Sequence, residues 1–429
     1  MEEIANKKTF RNYMIFWSGQ LFSLFGSSVV YFVIIWWITI ETGSAVILAL
    51  ASFLYILPMT ICMPIAGVFA DKHNRKIIIG AVDSLQALAT FILVLLFQFN
   101  VANVWIVLIF ISLRSIFQAF HLPTVNAIIP AMVPKDKLSR INGINFLFTG
   151  FVQILAPAVA AFLMVFLMIK QMLWIDIFTF YIALIPLVFI KIPSFNHVSE
   201  EQAASKKFSF FKEFRLGITT LKIIPGLMMM ILLSMLINFL IRPLDTLLPL
   251  FINVNHGGDE GLYALASVIF QVGIISGALI TSFKKNWKNK IRIIFICIGI
   301  AMVGYMIIAL APKGLFLIIG GMGGFILAIN LPIINALYQT FVQTTVPANR
   351  IGRITSIDHT LSMAISPIGT LISGPIAEFI SIPILFFSCG FIGLIYTFTI
   401  WSFTGIRKVD MDSKAALEEI NGKIENISI

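Results

Sequence analysis

Four aspartates, two arginines and a histidine stand inside long apolar stretches, where an ionised side chain is expensive: Asp83, Asp176, Asp245 and Asp358, Arg114 and Arg242, and His121. A carboxyl held away from bulk water can bind and release a proton near neutral pH. A guanidinium stays charged and favours the ionised form of a carboxyl beside it. Asp83, Arg114, Asp176, Asp245 and Asp358 are therefore candidates for proton coupling, with no sequence signal choosing which aspartate titrates. On an α-helix Arg114, Gln118 and His121 fall at i, i+4 and i+7 and share one face. An arginine at mid-bilayer depth costs at least ~2.5–3.5 kcal/mol, so that face should meet a cavity or an aspartate. Asp83 is the nearest candidate in sequence. A structural ion pair would use Arg114 in the same way, and His121 suits polar packing as well as proton transfer. Arg242 and Asp245, three residues apart, can neutralise each other on one helix face. Glu41 and Glu378, at the outer ends of apolar runs, belong in headgroups or water.

These residues need elements that can hold them in lipid. The 429-residue chain is 59% hydrophobic and only 12% charged. A soluble domain carries about 25% charged residues, so a water-facing globule is excluded, and the hydrophobicity rules out disorder. Crossing the hydrocarbon takes about 20 apolar residues. The apolar runs give twelve such spans, at 13–40, 46–70, 77–98, 103–131, 141–168, 171–191, 222–253, 261–283, 291–311, 314–342, 354–378 and 381–404. They lack the alternation of barrel strands, so the expected fold class is all-α integral membrane. The first run is too long for a cleavable signal peptide, and the mature chain is expected to begin at or near Met1. Cys62, Cys297 and Cys389 fall within spans, which argues against a disulfide framework or a metal cluster.

The net charge of +10 is distributed unevenly. With the amino terminus inside, 26 of the 30 Lys and Arg fall in cytoplasmic segments or, for Lys191, Lys222 and Arg292, at the cytoplasmic ends of spans, Lys170 and Lys313 in outer loops, and Arg114 and Arg242 deep within spans. That asymmetry follows the positive-inside rule and places both termini in the cytoplasm. The basic excess thus orients the chain and meets anionic lipid, and no nucleic-acid partner is implied.

The two halves of the chain repeat. Ala119 to Ala127 aligns with Ala328 to Ala336, five of nine positions being identical, including Pro123 with Pro332 and Asn126 with Asn335. Val133-Pro134 and Arg140-Ile141 likewise match Val346-Pro347 and Arg353-Ile354. The longest polar stretch, 194–221, separates the halves. The expected organisation is an N-terminal six-helix bundle (1–193), a cytoplasmic linker (194–221), a C-terminal six-helix bundle (222–405) and a cytoplasmic tail (406–429). In such parallel repeats the substrate site lies near the midplane between the halves. Gln118, His121, Asn126, Asn330 and Asn335 are its candidate lining.

The loop after the second span reads Gly67-Val-Phe-Ala-Asp71-Lys72-His73-Asn74-Arg75-Lys76. Gly67 would permit close helix contact, Asp71 would accept hydrogen bonds from cationic or helix-terminal donors, and Arg75 and Lys76 would anchor the inner face. Asn74, tolerant of a left-handed backbone, would form the turn. The corresponding loop of the second half keeps Gly277, Lys284 and Lys285 but lacks the aspartate. Pro157, beside Ala156, Ala158, Ala160 and Ala161, and Pro367, near Ser373-Gly374-Pro375, join Pro123 and Pro332 as candidate hinge or packing positions, since small residues let helices approach and proline bends them. No nucleophile triad, metal-ligand spacing, phosphate-cradling glycine loop or nucleotide-binding domain is present, so neither an enzyme nor a cofactor is expected, and energy would come from an ion or solute gradient.

The loop from Gly67 to Lys76, together with Gly43-Ser44-Ala45, Gly80-Ala81-Val82-Asp83, Arg114-Ser115-Ile116, Ala119-Phe120-His121, Pro123, Asn126-Ala127, Ile175-Asp176, Gly352-Arg353 and Pro367-Ile368-Gly369, resembles the major facilitator transporters of macrolide-efflux type. The resemblance runs from about residue 10 to 405 and implies export of hydrophobic drugs or lipophilic cations by proton antiport, with alternating access, from a bacterial plasma membrane. It implies a monomer whose partners are a hydrophobic small molecule, protons and lipid. Arg242, Asp245 and Asp358-His359 depart from the pattern. A narrower solute such as a peptide, siderophore or metabolite, or a non-transporting receptor or assembly factor on the same scaffold, are the alternatives.

Overall fold

The computed structural model describes residues 6–134, 137–190, 224, 226–284, 287–346, 357–358, 360–362 and 365–408. Every regular element among them is helical, and twelve helices are long and apolar enough to cross a membrane. They are α1 (Lys7–Thr42), α2 (Ala45–Gly67), α3 (Arg75–Gln98), α4 (Val104–Ile129), α5 (Arg140–Met164), α6 (Ile169–Phe189), α7 (Leu227–Asn255), α8 (Glu260–Phe283), α9 (Lys290–Ala309), α10 (Phe316–Thr345), α11 (Thr360–Ile380) and α12 (Ile382–Phe403). Each coincides with one of the apolar runs. The helix of α2 runs on to Lys72, and that of α4 to Met132.

Local sequence sets the ends. Asn6 accepts hydrogen bonds from the Lys8 and Thr9 amides at the start of α1, and Gly43, at φ 56°, ends it. Ser44 and Asn103 cap α2 and α4 through their side-chain oxygens. The chain forms two compact units, one drawn from residues 1–197 and 249–268, the other from 198–248 and 269–429. The segment 194–221 and the positions Pro347, Arg353 and His359 lie outside the described residues, as does the side chain of Asp71.

In the first unit α1 packs against α6, α5 and α4, and α4 against α2 and α3. Two apolar clusters bracket its interior. Tyr13, Phe16, Ile79, Ile128, Ile141 and Leu187 close one end. Val29, Val33, Ala156, Ala160, Ala161 and Met172 close the other, so the alanines around Pro157 seat α5 on α1. Gln20 and Ser27 lie on α1 between the clusters. In the second unit α9 packs on α10 and α12. A Cβ on Gly304 would stand 2.7 Å from the Gly323 carbonyl oxygen, and one on Gly323 2.6 Å from that of Gly304, so α9 and α10 cross on bare backbone.

Three local expectations are corrected. A Cβ on Gly67 would meet no atom within 4 Å among the described residues, so Gly67 makes no close helix contact there. That role falls to Gly277 of α8, where a Cβ would collide with the Ile329 carbonyl of α10 and come within 3.2 Å of the Pro332 ring. Asn74 is extended (φ −66°, ψ 111°) and caps α3, its side-chain oxygen accepting from the Lys76 amide at 3.0 Å. Its use is as an acceptor for an orphan amide, and no left-handed turn is formed. Pro367 is buried, so it packs, but it stands in the first turn of the helix Ser366–Ile380, where a missing N–H breaks no helical bond and bends nothing. Pro157 and Pro332 are interior to their helices, and Pro123 lies within α4.

Candidate functional site

Four ionisable residues inside the first unit, Asp83, Arg114, His121 and Asp176, fall into two layers set by helix geometry. Gln20 and Ser27 on α1, Asp83 and Thr90 on α3, and His121 and Arg114 on α4 are each separated by seven residues. Seven residues are two turns, about 10.5 Å of rise, and return a side chain to nearly the same face. Because α4 runs opposite to α3 and α1, Arg114 pairs in depth with Thr90 and Ser27, and His121 with Asp83 and Gln20.

The first layer is an ion pair. Arg114 Nη1 lies 2.6 Å from Asp176 Oδ2, and the same nitrogen donates to the Thr90 hydroxyl. Thr90 donates to Oδ2 at 2.6 Å and Ser27 to Oδ1 at 2.7 Å. Asp176 is 4% exposed, and its carboxylate thus receives donors from α1, α3 and α4. The close approach of α1 to α6 that makes this possible depends on Gly26, where a Cβ would run into the Thr179 side chain one turn from Asp176. The expectation that Arg114 meets an aspartate holds in the structure, but its partner is Asp176 on α6. Asp83 was nearer in sequence and lies two turns away in depth.

The second layer is a triangle. Gln20 Nε2 donates to Asp83 Oδ2 at 3.3 Å. His121 Nε2 lies 2.9 Å from Gln20 Oε1 and 3.3 Å from Asp83 Oδ1. His121 Nδ1 is buried with no hydrogen-bond partner among the described residues. Gln118, between the layers on α4, is half-buried.

The other candidates are dispersed. Arg242 Nη1 and Asp245 Oδ2 pair at 3.2 Å along one face of α7, with the Asp245 side chain 50% exposed, as their spacing suggested. Asp358 accepts from the Tyr338 hydroxyl at 2.7 Å and the Ser362 hydroxyl at 3.4 Å. Asn126 and Asn335, equivalent in the repeat, are both exposed in their own units. Asn330 is buried and donates to the Ile326 carbonyl of its own helix at 2.6 Å, so that amide hydrogen is committed within α10.

The basic pair of the loop binds carbonyls. Arg75 Nη1 donates to the Ala127 carbonyl of α4 at 2.9 Å. Lys76 Nζ donates to the carbonyls of Val188 and Ile190 at the end of α6, at 2.7 and 2.8 Å. Cations at a helix C-terminus satisfy orphan carbonyls and complement the helix dipole.

Gln20, Ser27 and Thr90 escaped the sequence reading. The signal that finds them is the shared seven-residue spacing on three helices.

Comparison with known proteins accords with this architecture. A model of the Major Facilitator Superfamily matches residues 16–370. The chain is similar to Macrolide efflux protein A of Streptococcus pyogenes, 27% identical over 412 residues, covering 96% of this chain and 100% of that protein. It is also 27% identical over 327 residues to Macrolide efflux protein A of Enterococcus faecalis, covering 76% of this chain and 99% of that one. Among solved structures, the nucleoside transporter NupG superposes with a TM-score of 0.64 at 15% identity, covering 92% of this chain and 99% of NupG, a likeness of fold.

Proposed function

The chain belongs to the Major Facilitator Superfamily, and on that premise we propose that it exports hydrophobic drugs, macrolides first among them, across a bacterial plasma membrane in exchange for protons. The observation that carries the reading is the end-to-end similarity to Macrolide efflux protein A, which leaves no part of that protein without a counterpart here. The first unit supplies supporting chemistry: two buried carboxylates, a guanidinium and a largely buried imidazole on adjacent helices, the side chains a proton-coupled carrier requires. Uphill export without a nucleotide-binding domain draws on an ion gradient, and inward proton flow is the exchange that buried carboxylate and imidazole groups can mediate.

In this reading the protein works as a monomer by alternating access, with 1–193 and 222–405 as its moving halves, 194–221 as their tether and both termini cytoplasmic. Asn126 and Asn335, exposed at equivalent positions, and Gln118 face substrate. The test is accumulation of labelled erythromycin in a drug-sensitive, efflux-deficient bacterial host. Cells making the protein should hold several-fold less drug than cells without it, and a protonophore should abolish the difference. Equal accumulation in the two strains before the protonophore is added would refute macrolide export.

A further inference from the structure

We infer that the proton carried in each cycle binds Nδ1 of His121, with Asp83 as the counter-charge, and that the Arg114–Asp176 pair is a permanent strut that does not titrate during transport. This deepens the proposed antiport and rests on it for its role in the cycle, though not for its chemistry.

The two layers differ in what a proton would cost. Asp176 already receives the Ser27 hydroxyl on one oxygen and the Thr90 hydroxyl and Arg114 on the other. A proton added to that carboxylate would face donors and displace at least one of them, leaving Arg114 without its counter-ion. In the other layer the hydrogen bonds dictate the tautomer. An ionised Asp83 accepts only, so the amide nitrogen of Gln20 faces Oδ2 and the amide oxygen of Gln20 is turned to His121. His121 Nε2 then meets two acceptors, Gln20 Oε1 and Asp83 Oδ1, and must carry a hydrogen. The remaining ring nitrogen, Nδ1, holds a lone pair with no partner among the described residues. A buried polar atom left unsatisfied in a network otherwise complete calls for a use.

Proton uptake there forms one N–H bond and breaks no existing contact. It converts a triangle with one net negative charge into a neutral imidazolium–carboxylate pair. Release breaks the same N–H bond and returns the proton to water. The charged and titratable groups in the interior of the unit, on the helices around the pair, are Arg114 on α4 itself, Asp176 on α6, Tyr55 on α2 and Tyr13 on α1, while Lys7, Lys8, Arg11, Tyr31 and Glu41 on α1, Cys62 on α2, Lys76 on α3 and Tyr181 on α6 lie outside it. Arg75 on α3 contacts α4 at Ala127, more than a turn from His121. Arg114 and Asp176 compensate each other, so Asp83 supplies the uncompensated charge at the site. Gln20 is a positioning residue that holds the Nε2–H tautomer.

The direct test is nitrogen NMR of imidazole-labelled protein in lipid nanodiscs, with His121→Gln identifying the resonance among the five histidines. Nε2 should stay protonated throughout a pH titration in which Nδ1 passes from protonated to bare. Gln20→Leu should admit the other tautomer at high pH. An Nδ1 whose state does not change, or an Nε2 that is bare at high pH in the wild-type protein, overturns the inference. In proteoliposomes, His121→Gln and Asp83→Asn should each lower pH-driven erythromycin uptake at least tenfold at wild-type levels of folded, inserted protein. Wild-type pH-driven rates in His121→Gln would also overturn it. A titrating His121 in a wild-type protein that moves no erythromycin would instead refute the proposed substrate and leave the proton site standing.

Discussion

Arg114 and Asp176 show how a charge survives at mid-membrane depth. The pair is largely buried, and two hydroxyls complete the carboxylate, so removing one partner leaves an uncompensated charge. Arg114→Leu should cost about 3–5 kcal/mol, read as a lowered melting temperature in detergent, and should abolish export. Arg114→Leu with Asp176→Asn should recover much of that stability, since residues in one network are not additive. Because one nitrogen meets one carboxylate oxygen, Arg114→Lys can keep the pair and should be the mildest of the three. A melting temperature for the lysine variant as low as that of Arg114→Leu would count against the single-contact geometry. Sequence alone singled out all four ionisable residues of the two layers but matched Arg114 with Asp83. Proximity in sequence pointed to Asp83, whereas depth along antiparallel helices decides the pairing. Ser27 and Thr90 were hidden for a different reason. A hydroxyl in an apolar helix ordinarily bonds its own backbone, as Thr39, Thr60 and Thr124 do, and nothing local distinguishes one that reaches across.

At the scale of helices, small residues decide which elements can meet. Gly26 lets α1 lie against α6 at Thr179, and that contact brings Ser27 to Asp176. Gly26→Val should destabilise the protein by about 1–3 kcal/mol through overpacking, whereas Gly67→Ala, with open space around it, should shift stability by less than about 0.5 kcal/mol. Thermal unfolding of both variants in one detergent checks the contrast, and a larger loss for Gly67→Ala would contradict the packing described. The twelve spans were legible because a 20-residue apolar run has few other fates in a cell. Which glycine is a contact and which only looks like one was not, because both stand in apolar helices and differ only in what lies opposite. The basic loop is intermediate: its residues were legible and their carbonyl partners were not. Lys76→Ala, which strips two donors from the end of α6, should slow transport severalfold with little change in erythromycin affinity. Asp71→Asn should likewise slow transport without abolishing binding, as measured by equilibrium binding and flux on the same preparation.

For the whole molecule, the internal repeat and the polar stretch 194–221 imply two halves, 1–193 and 222–405. If the halves move as units on a tether, residues 1–193 and 222–429 made as separate chains should together restore part of the drug resistance, and complete inactivity of well-inserted halves would count against it. Substrate was the least legible property, since a greasy exporter of macrolides and a carrier for a narrower solute place similar apolar residues in their spans. The most direct test of proton-driven macrolide export is the initial rate of erythromycin uptake into proteoliposomes with the lumen at pH 6 and the bath at pH 7.5, set against equal pH and against protein-free liposomes that report passive entry. The account predicts protein-dependent uptake at least tenfold faster with the gradient than without it, and protein-dependent uptake that is absent or indifferent to the gradient would contradict it.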